Sequence, residues 1–356
     1  MLASAPLRDL TTLRLGGPAR RLLDAGSDEA LLELVRESDG AGEPLLVLAG
    51  GSNVVVADEG FDGTVVRVAT RGVERTALRD GRVLLDVAAG EDWDELVAAC
   101  VAEGLAGVEA LSGIPGSVGA TPIQNVGAYG QEVADVIVAV RALDRETGEI
   151  ESLDAEGCEF DYRSSVFKRN PGRWVVLRVS FALERSRRSE PVRYAELAGR
   201  LGIELGASAP AAAVREAVLD LRRAKGMVLD AGDPDTVSAG SFFTNPILLG
   251  RDFDAFVRRA AERLGADASP PAWPVGMGAV KTSAAWLIER AGFHRGYGDP
   301  SGIAISSKHT LALTNRGGGT TAQLVALARE IAGGVREAFG VELHPEPVFV
   351  GHRWEP

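Results

Sequence analysis

Short apolar runs and amphipathic stretches alternate along the first half of the chain. Ser27 is a suitable N-cap for a helix running through Val35, because its side chain can accept a backbone N–H and two acidic residues follow in the first turn. A second helix is predicted over residues 91–104, where it ends at a glycine suited to a C-terminal cap. The apolar runs predict strands at residues 44–48, 54–56, 64–68 and 83–87.

The same patterns continue in the second half. Strands are predicted over residues 135–143 and 174–181, and a helix over 211–224 follows Pro210. A loop is predicted over residues 231–245. Further helices are predicted over 253–265, 282–291 and 320–338, and strands near 302–305, 310–314 and 347–350. Because these elements follow no regular βαβ period, the pattern predicts an α+β fold with mixed sheets.

Composition narrows the class of protein. The chain has 356 residues, which predicts two or three domains. Aromatic residues make up only 6%, so the core must be built mainly from Ala, Val, Leu and Ile. The formal net charge is −12, so we expect neither nucleic acid nor an anionic membrane as a partner. A local basic pocket for an anionic small molecule remains compatible with this balance.

The cysteines and histidines indicate neither a disulfide framework nor a metal site. Cys100 and Cys158 are too few for such a framework and fit a reducing compartment. The four histidines lack paired ligand spacing, so we expect no metal. No stretch approaches the roughly 18 apolar residues that span a bilayer, and the N-terminus lacks a long apolar region. We therefore expect a cytoplasmic protein.

Two glycine-rich segments are candidates for binding a phosphate group. Residues 50–53 (GGSN) lie between two predicted strands, where consecutive backbone N–H groups can form an anion-binding concavity. The segment is not the GxGxxG fingerprint, and no helix is predicted to follow it, so a Rossmann-type domain is not indicated. A plain hairpin turn is the alternative.

The second segment, residues 113–130, contains five glycines and two prolines together with hydrogen-bonding side chains. A long glycine-rich stretch inside a compact domain is usually functional. Two such loops in one α+β domain favour a phosphate-bearing cofactor over turn chemistry alone.

Five motifs in register resemble the UDP-N-acetylenolpyruvoylglucosamine reductase family. They are residues 48–54 (LAGGSNV), 114–130 (IPGSVGATPIQNVGAYG), 160–168 (FDYRSSVFK), 239–246 (AGSFFTNP) and 343–347 (LHPEP). The resemblance covers nearly the whole chain, and the joint order of the motifs is far more specific than any one of them.

The resemblance implies an FAD-binding fold of the vanillyl-alcohol-oxidase type, made of two subdomains, with a smaller α+β substrate-binding domain. The implied bounds are 1–70 with a return at 340–356 for the first FAD subdomain, 71–228 for the second, and 229–339 for the substrate domain. Residues 192–197 (VRYAEL) resemble the tyrosine loop of the family's longer subtype. The implied FAD-binding residues are Ala49, Gly50, Gly51, Ser52, Asn53, Ile114, Pro115, Gly116, Ser117, Gly119, Ala120, Ile123 and Gly127.

The same resemblance implies the reaction and its residues. NADPH would reduce FAD, which would then reduce the enolpyruvyl group of UDP-N-acetylglucosamine enolpyruvate to give UDP-N-acetylmuramate for peptidoglycan synthesis. Arg163, Ser241 and Glu346 match the family's catalytic residues, with Ser241 as the proton donor. The matching substrate-binding residues are Tyr129, Tyr162, Tyr194, Lys225, Asn245 and Lys281. Thr244 departs from the pattern, since many members have Lys there, and this puts one local phosphate contact in doubt. A monomer is expected, as is usual in the family.

Two alternatives remain open from the residues alone. A different flavin oxidoreductase, such as an alcohol oxidase, could use the same scaffold, because fold does not determine function. A non-catalytic module that binds a UDP-sugar or flavin is the other, although all three catalytic matches are present.

Overall fold

The computed structural model describes residues 6–355, and the chain forms two compact units. The first unit includes Ala19–Gly51 and Asp62–Val228, and the second includes Pro6–Pro18, Ser52–Phe61 and the chain from Leu229 onward. The three-part division implied by the resemblance stays a prediction, and residues 1–5 and 356 of it lie outside the described residues.

Helices and strands are interspersed along residues 6–355. The helices are α1 (Asp28–Gly40), α2 (Trp93–Glu103), α3 (Val166–Arg169), α4 (Ala195–Leu201), α5 (Ala211–Ala224), α6 (Gly250–Leu264), α7 (Ala284–Ala291) and α8 (Thr321–Phe339). The strands are β1 (Ala19–Ala25), β2 (Leu45–Leu48), β3 (Val54–Val56), β4 (Phe61–Val68), β5 (Val73–Ala77), β6 (Val83–Ala88), β7 (Leu105–Ala106), β8 (Gly127–Ala128), β9 (Gln131–Glu132), β10 (Ile137–Asp144), β11 (Ile150–Asp154), β12 (Trp174–Arg185), β13 (Ser238–Ser241), β14 (Ile247–Leu249), β15 (Ala272–Gly276), β16 (Ala279–Thr282), β17 (Ile303–Ile305), β18 (Ala312–Asn315) and β19 (Val348–Val350). The predicted α+β content is confirmed.

The predicted helix ends are confirmed where a capping residue marks them. The Ser27 hydroxyl accepts the Ala30 N–H at 3.2 Å at the start of α1. Gly104 takes a left-handed conformation, with φ 73°, just after α2. Thr320 and Gln323 form a reciprocal capping box at the start of α8.

The element prediction is wrong in several places, and among the elements it does not contain are β1, α4, β14, β15 and β16. The loop predicted over residues 231–245 contains a strand, β13. The sequence patterns also miss β5 and β11, which form the two edges of the large sheet of the first unit. Most side chains of β5 and β11 are exposed, so neither strand shows the apolar alternation by which a half-buried strand is recognised.

The first unit is built around β12. The larger sheet has the strand order β11-β10-β12-β6-β5, and β12 runs antiparallel to both of its neighbours. A smaller sheet has the order β1-β4-β2, in which β2 is parallel to β4. The buried cluster consists mainly of Val, Leu and Ala, with Trp93 against Phe181 at 5.8 Å between ring centroids. This composition agrees with the core expected from the low aromatic content.

The second unit packs its helices around α8. The buried positions Leu324, Ala328, Ile331 and Val335 of α8 recur at intervals of three and four residues, which places them on one helix face. Two antiparallel sheets have the orders β13-β18-β17 and β14-β16-β15, and β19 lies parallel to β3.

Strand pairing decides the alternative for residues 50–53. β2 pairs with β4, whereas β3 pairs with β19. The two strands that flank this segment are therefore not partners of each other, and the segment is not a hairpin turn.

Candidate active site

Two glycine loops of the first unit approach each other backbone to backbone. A Cβ added to Gly50 would lie 2.7 Å from the Gly116 Cα and 3.0 Å from its carbonyl carbon. Carbon atoms in contact prefer about 3.5–4.0 Å, so the approach requires glycine at position 50. The structure thus brings the two predicted phosphate-binding loops together.

The hydroxyl of Ser117 is the second feature that fits a bound cofactor. It is buried and has no hydrogen-bond partner within residues 6–355. Leaving such a group without a hydrogen bond costs about 1–3 kcal/mol of stability. A buried hydroxyl without a partner in the chain therefore indicates that a bound molecule supplies one. Its position next to Gly116 fits a dinucleotide held by the two loops, and the residues present therefore fit FAD.

Backbone hydrogen bonds fix the glycine-rich stretch of residues 113–130 to the segment between β6 and α2. The Gly119 N–H donates to the Ala89 carbonyl at 2.8 Å, and the Trp93 N–H donates to the Gly116 carbonyl at 3.0 Å. The Ser165 hydroxyl donates to the Ile123 carbonyl at 2.5 Å. The other predicted cofactor residues of the first unit lie along the same two loops: Ala49, Gly51, Ile114, Pro115, Ala120 and Gly127.

Asp94 of α2 fixes the start of this stretch. Its carboxylate accepts the Gly113 N–H at 2.6 Å and pairs with Arg215 of α5 at 2.6 Å. Burial alone raises the pKa of Asp94, but the hydrogen bonds from Arg215 and Gly113 outweigh it and leave the pKa below its ordinary value. Asp94 belongs to none of the five motifs, so the sequence analysis missed it.

Arg163 lies in the first unit and is tied to the glycine-rich stretch. Its guanidinium donates to the Gly127 carbonyl at 2.5 Å and to the Asn125 carbonyl at 3.3 Å. It also lies 5.4 Å from the centroid of the Tyr162 ring. Arg163 has φ 52°, which is uncommon for a residue other than glycine.

Tyr129 occupies the turn between β8 and β9. Tyr129 has φ 50° and Gly130 has φ 84°, and Ala128 pairs with Gln131 on either side of them. Two central residues with positive φ are typical of a type I′ hairpin turn, which favours Asn or Gly at the first position. A tyrosine there is strained, and the turn presents its ring at the tip of the hairpin.

Three predicted substrate-binding residues meet at this turn. The Tyr129 and Tyr194 rings pack edge to face at 5.4 Å, and the Lys225 ammonium lies 5.8 Å from the Tyr129 ring centroid. The pKa of Tyr129 is raised to about 12, mainly by burial, against an opposing effect of Arg222 and with smaller increases from Glu196 and Tyr194. The phenol is therefore neutral at pH 7 and available as a hydrogen-bond donor.

The segments that carry Ser241 and Glu346 pair with each other in the second unit. The Glu346 N–H donates to the Phe242 carbonyl at 2.8 Å, and Phe243 forms an antiparallel bridge with Pro345. The motifs at 239–246 and 343–347, separated by about a hundred residues in sequence, are thus neighbouring extended segments. Glu346 is partly buried.

Asn53 is hydrogen-bonded to the segment that carries Glu346. The Val348 N–H donates to the Asn53 carbonyl at 2.9 Å, and the Asn53 side-chain amide donates to the Glu346 carbonyl at 3.4 Å. Ser52 precedes it, and its carbonyl accepts the Thr12 hydroxyl at 3.4 Å. The GGSN segment therefore contributes Ser52 and Asn53 to the second unit and both glycines to the first.

Asn245 and Lys281 lie near the start of α7. The Asn245 side-chain oxygen accepts the Ala284 N–H at 3.0 Å, which satisfies a donor of the first helical turn. Lys281 is in the central strand of its sheet, opposite Ile247 on one side and Trp273 on the other. Trp273 is 47% exposed, and an exposed aromatic ring beside a lysine is a feature that the sequence analysis missed.

Thr244 bonds locally where the family commonly has lysine. Its hydroxyl donates to the His344 carbonyl at 3.3 Å, and the His344 carbonyl also accepts the Thr244 N–H at 3.0 Å. The side chain therefore reinforces the pairing of the two motifs and supplies no charge.

Within residues 6–355, no three His, Cys, Asp or Glu side chains are gathered as metal ligands would be. The helices in that range are all too short or too polar for one to cross a membrane.

Comparison with known proteins first defines the class. A family model described as an FAD binding domain matches residues 19–154. A second model, described as the UDP-N-acetylenolpyruvoylglucosamine reductase C-terminal domain, matches residues 233–350. Together with the cofactor-binding features of the first unit, these matches define an FAD-dependent oxidoreductase.

The relatives define the family. The UDP-N-acetylenolpyruvoylglucosamine reductase of Thermobifida fusca is 58% identical over 348 residues, which cover 98% of this chain and 97% of the relative. That of Streptomyces coelicolor is 59% identical over 352 residues, covering 98% and 90%. The crystal structure of the Thermus caldophilus reductase (MurB) aligns with a TM-score of 0.64 at 25% identity, covering 98% of each chain. The chain belongs to the UDP-N-acetylenolpyruvoylglucosamine reductase family, and the predicted family, fold class and FAD cofactor are confirmed.

Membership in this family decides between the alternatives left open by the sequence. Neither an alcohol oxidase on the same scaffold nor a non-catalytic binding module accounts for near-full-length relatives that are reductases.

Proposed function

We propose that Arg163, Ser241 and Glu346 carry the NADPH-dependent reduction of UDP-N-acetylglucosamine enolpyruvate to UDP-N-acetylmuramate. The observation that carries this assignment is the pairing of the Ser241 and Glu346 segments, joined by the Glu346 N–H to the Phe242 carbonyl at 2.8 Å. A proton donor and a carboxyl group on adjacent segments are what the second half of an enol ether reduction requires.

The two glycine loops and the Ser117 hydroxyl would hold FAD. When bound, FAD supplies hydride chemistry, taking a hydride from NADPH and passing it to the terminal vinyl carbon of the substrate. The orphaned Ser117 hydroxyl would find its hydrogen-bond partner on this group. The glycines allow the backbone to approach it closely.

Ser241 would donate the proton that completes the reduction. Hydride addition to the vinyl carbon leaves negative charge at the neighbouring carbon, next to the carboxylate. Serine is a weak acid, but a carbanion beside a carboxylate is a strong base, so a well-placed hydroxyl suffices. The glycine before Ser241 has φ 72°, a conformation that glycine adopts readily.

Arg163 would stabilise the developing charge. A guanidinium stays protonated and matches the geometry of a carboxylate. Its hydrogen bonds to the Gly127 and Asn125 carbonyls hold the Arg163 guanidinium in one orientation before the reaction, which is the preorganisation that electrostatic catalysis needs. Glu346 would polarise the enolate or orient its neighbours.

The remaining residues would hold the UDP-sugar. Tyr129, Tyr194 and Lys225 form one cluster in the first unit and supply two phenol donors and an ammonium. Asn245 and Lys281 supply an amide and an ammonium in the second unit, where Trp273 adds an aromatic face beside Lys281. We further expect a cytoplasmic monomer that binds neither nucleic acid nor membrane.

The test separates the two half-reactions. In Ser241→Ala, bleaching of the flavin band by NADPH should proceed at nearly the wild-type rate. Anaerobic recovery of the band on adding the enolpyruvyl UDP-sugar should slow about 10²- to 10⁴-fold, as expected when a general acid is removed. Ser269→Ala, at an exposed serine of the same unit, is the matched control. An equal loss in both half-reactions would show that Ser241 supports the fold or the cofactor and is not the proton donor.

A further inference from the structure

The ammonium of Lys225 is already paired with an anion of the chain itself. Its Nζ donates to a carboxylate oxygen of Glu196 at 2.7 Å. The side chains of Lys225 and Glu196 are 30% and 43% exposed, respectively. The pair therefore stands at the surface of the Tyr129 cluster, where an incoming ligand can reach it.

Glu196 reaches Lys225 from the segment that carries Tyr194. Tyr194 is the residue before α4, and Glu196 lies in the first turn of that helix. The Tyr194 ring packs against Tyr129, above which Lys225 also lies. One short segment thus brings the Tyr194 ring against Tyr129 and the Glu196 carboxylate against Lys225, the two residues that are assigned to the substrate.

We propose that Glu196 sets the affinity of this site for the diphosphate, because its carboxylate occupies Lys225 until the diphosphate of the UDP-sugar displaces it. This inference rests on the proposed role of Lys225 in binding that diphosphate. The carboxylate acts as an internal competitor. The binding free energy that a ligand gains from Lys225 is therefore reduced by the free energy of the Glu196–Lys225 ion pair.

Charge makes this competition selective. An ion pair between partly exposed side chains is weak, because solvent screens it. A diphosphate carries more negative charge than a single carboxylate and can accept several hydrogen bonds from the ammonium and the nearby phenols. It therefore displaces Glu196, whereas a neutral nucleoside does not.

The test measures binding to the oxidised holoenzyme by calorimetric titration, with UDP and uridine as the probes. Glu196→Gln removes the charge and keeps the size of the side chain. Glu216→Gln is the matched control, because Glu216 is exposed on α5 and no ion pair to it is seen among the described residues. Lys225→Gln and the double variant complete a double-mutant cycle. Flavin content and melting temperature verify that each variant is folded.

Glu196→Gln should bind UDP about two- to five-fold more tightly than the wild type, as loss of a partly exposed competing ion pair predicts. Uridine affinity should not change, and the gain for UDP should disappear when Lys225 is already Gln. Lack of a gain, or an equal gain in Glu216→Gln, overturns the inference.

The Lys225→Gln variant distinguishes a failure of this inference from a failure of the proposed role of Lys225. If Lys225→Gln weakens UDP binding but Glu196→Gln does not tighten it, only the role of Glu196 is refuted. If Lys225→Gln leaves UDP affinity unchanged, the assignment of Lys225 to the diphosphate fails, and the inference that depends on it fails as well.

Discussion

Replacing Gly50 with alanine tests whether the close approach of the two glycine loops is required for FAD binding. The added Cβ would lie 2.7 Å from the Gly116 Cα, 3.0 Å from its carbonyl carbon and 3.1 Å from the Ser117 nitrogen. All three neighbours are backbone atoms, so no side chain can rotate away. To restore a carbon contact of about 3.5–4.0 Å, the loops must separate by about 1 Å.

The expected loss follows from this separation. Extra volume in a well-packed place costs about 1–3 kcal/mol. If the cost falls on the FAD-bound state, the affinity for FAD drops about 5- to 150-fold. The assay is titration of the deflavinated protein with FAD, followed by flavin fluorescence, together with the increase in melting temperature that FAD produces.

Gly26→Ala is the matched control for this experiment. Gly26 lies in the same unit, and a Cβ there would meet no atom within 4 Å. It should bind FAD as the wild type does. If Gly50→Ala also binds FAD with wild-type affinity, the close approach of the loops has nothing to do with the cofactor, and the assignment of this cradle must be abandoned.

Two further predictions concern stability and thiol chemistry. Burial alone raises the pKa of Asp235, but hydrogen bonds from Ser307 and the charge of Arg316 bring it below the ordinary 3.8. Asp235→Asn should therefore lower the free energy of unfolding by about 2–4 kcal/mol at pH 7. In urea unfolding, the difference in stability from the wild type should persist down to about pH 4 and disappear below it, where the folded-state carboxylate is protonated. A stability difference that does not depend on pH would contradict this. Burial raises the pKa of both Cys100 and Cys158 to about 12, so a thiol-specific dye at pH 8 should label neither in the native protein and both in guanidinium, and rapid native labelling would show that the core opens.

The parts of the fold that sequence could predict are those with a complete local pattern. α1, α2 and α8 each combine an amphipathic or apolar run with a capping residue. The start of α1 and the ends of α2 and α8 agree with the prediction, whereas α1 continues past the predicted Val35 to Gly40. β5 and β11 could not be found in this way, because edge strands with exposed side chains have no apolar face to detect. β5 joins the sheet by pairing with β6, and β11 joins it by pairing with β10. This pairing is a tertiary feature that the local sequence does not show.

The residues of the candidate site likewise fall into those that local sequence could indicate and those that only tertiary contacts reveal. Motif resemblance predicted Ser241 and Glu346 as site residues, whereas the pairing of the segments that carry them is a tertiary feature that no spacing could supply. Asp94 and Glu196 were missed because an acidic residue in the first turn of a helix has an ordinary explanation in the helix dipole. Only the contacts, Asp94 to Gly113 at 2.6 Å and Glu196 to Lys225 at 2.7 Å, distinguish them from capping residues.

Backbone strain gives an independent indication of where the first unit is specialised. Six non-glycine residues in the described range have positive φ, and three of them are Asn125, Tyr129 and Arg163. Each such residue costs on the order of 1–3 kcal/mol and persists only where surrounding contacts enforce it. Asn125 is held by Glu132 and by the Asp161 carbonyl, and Arg163 is held by the Gly127 and Asn125 carbonyls. Two of the strained residues, Asn125 and Arg163, are therefore held in part by each other. Glycine would adopt these φ values without strain, so the retention of Tyr129 and Arg163 is consistent with the roles proposed for them.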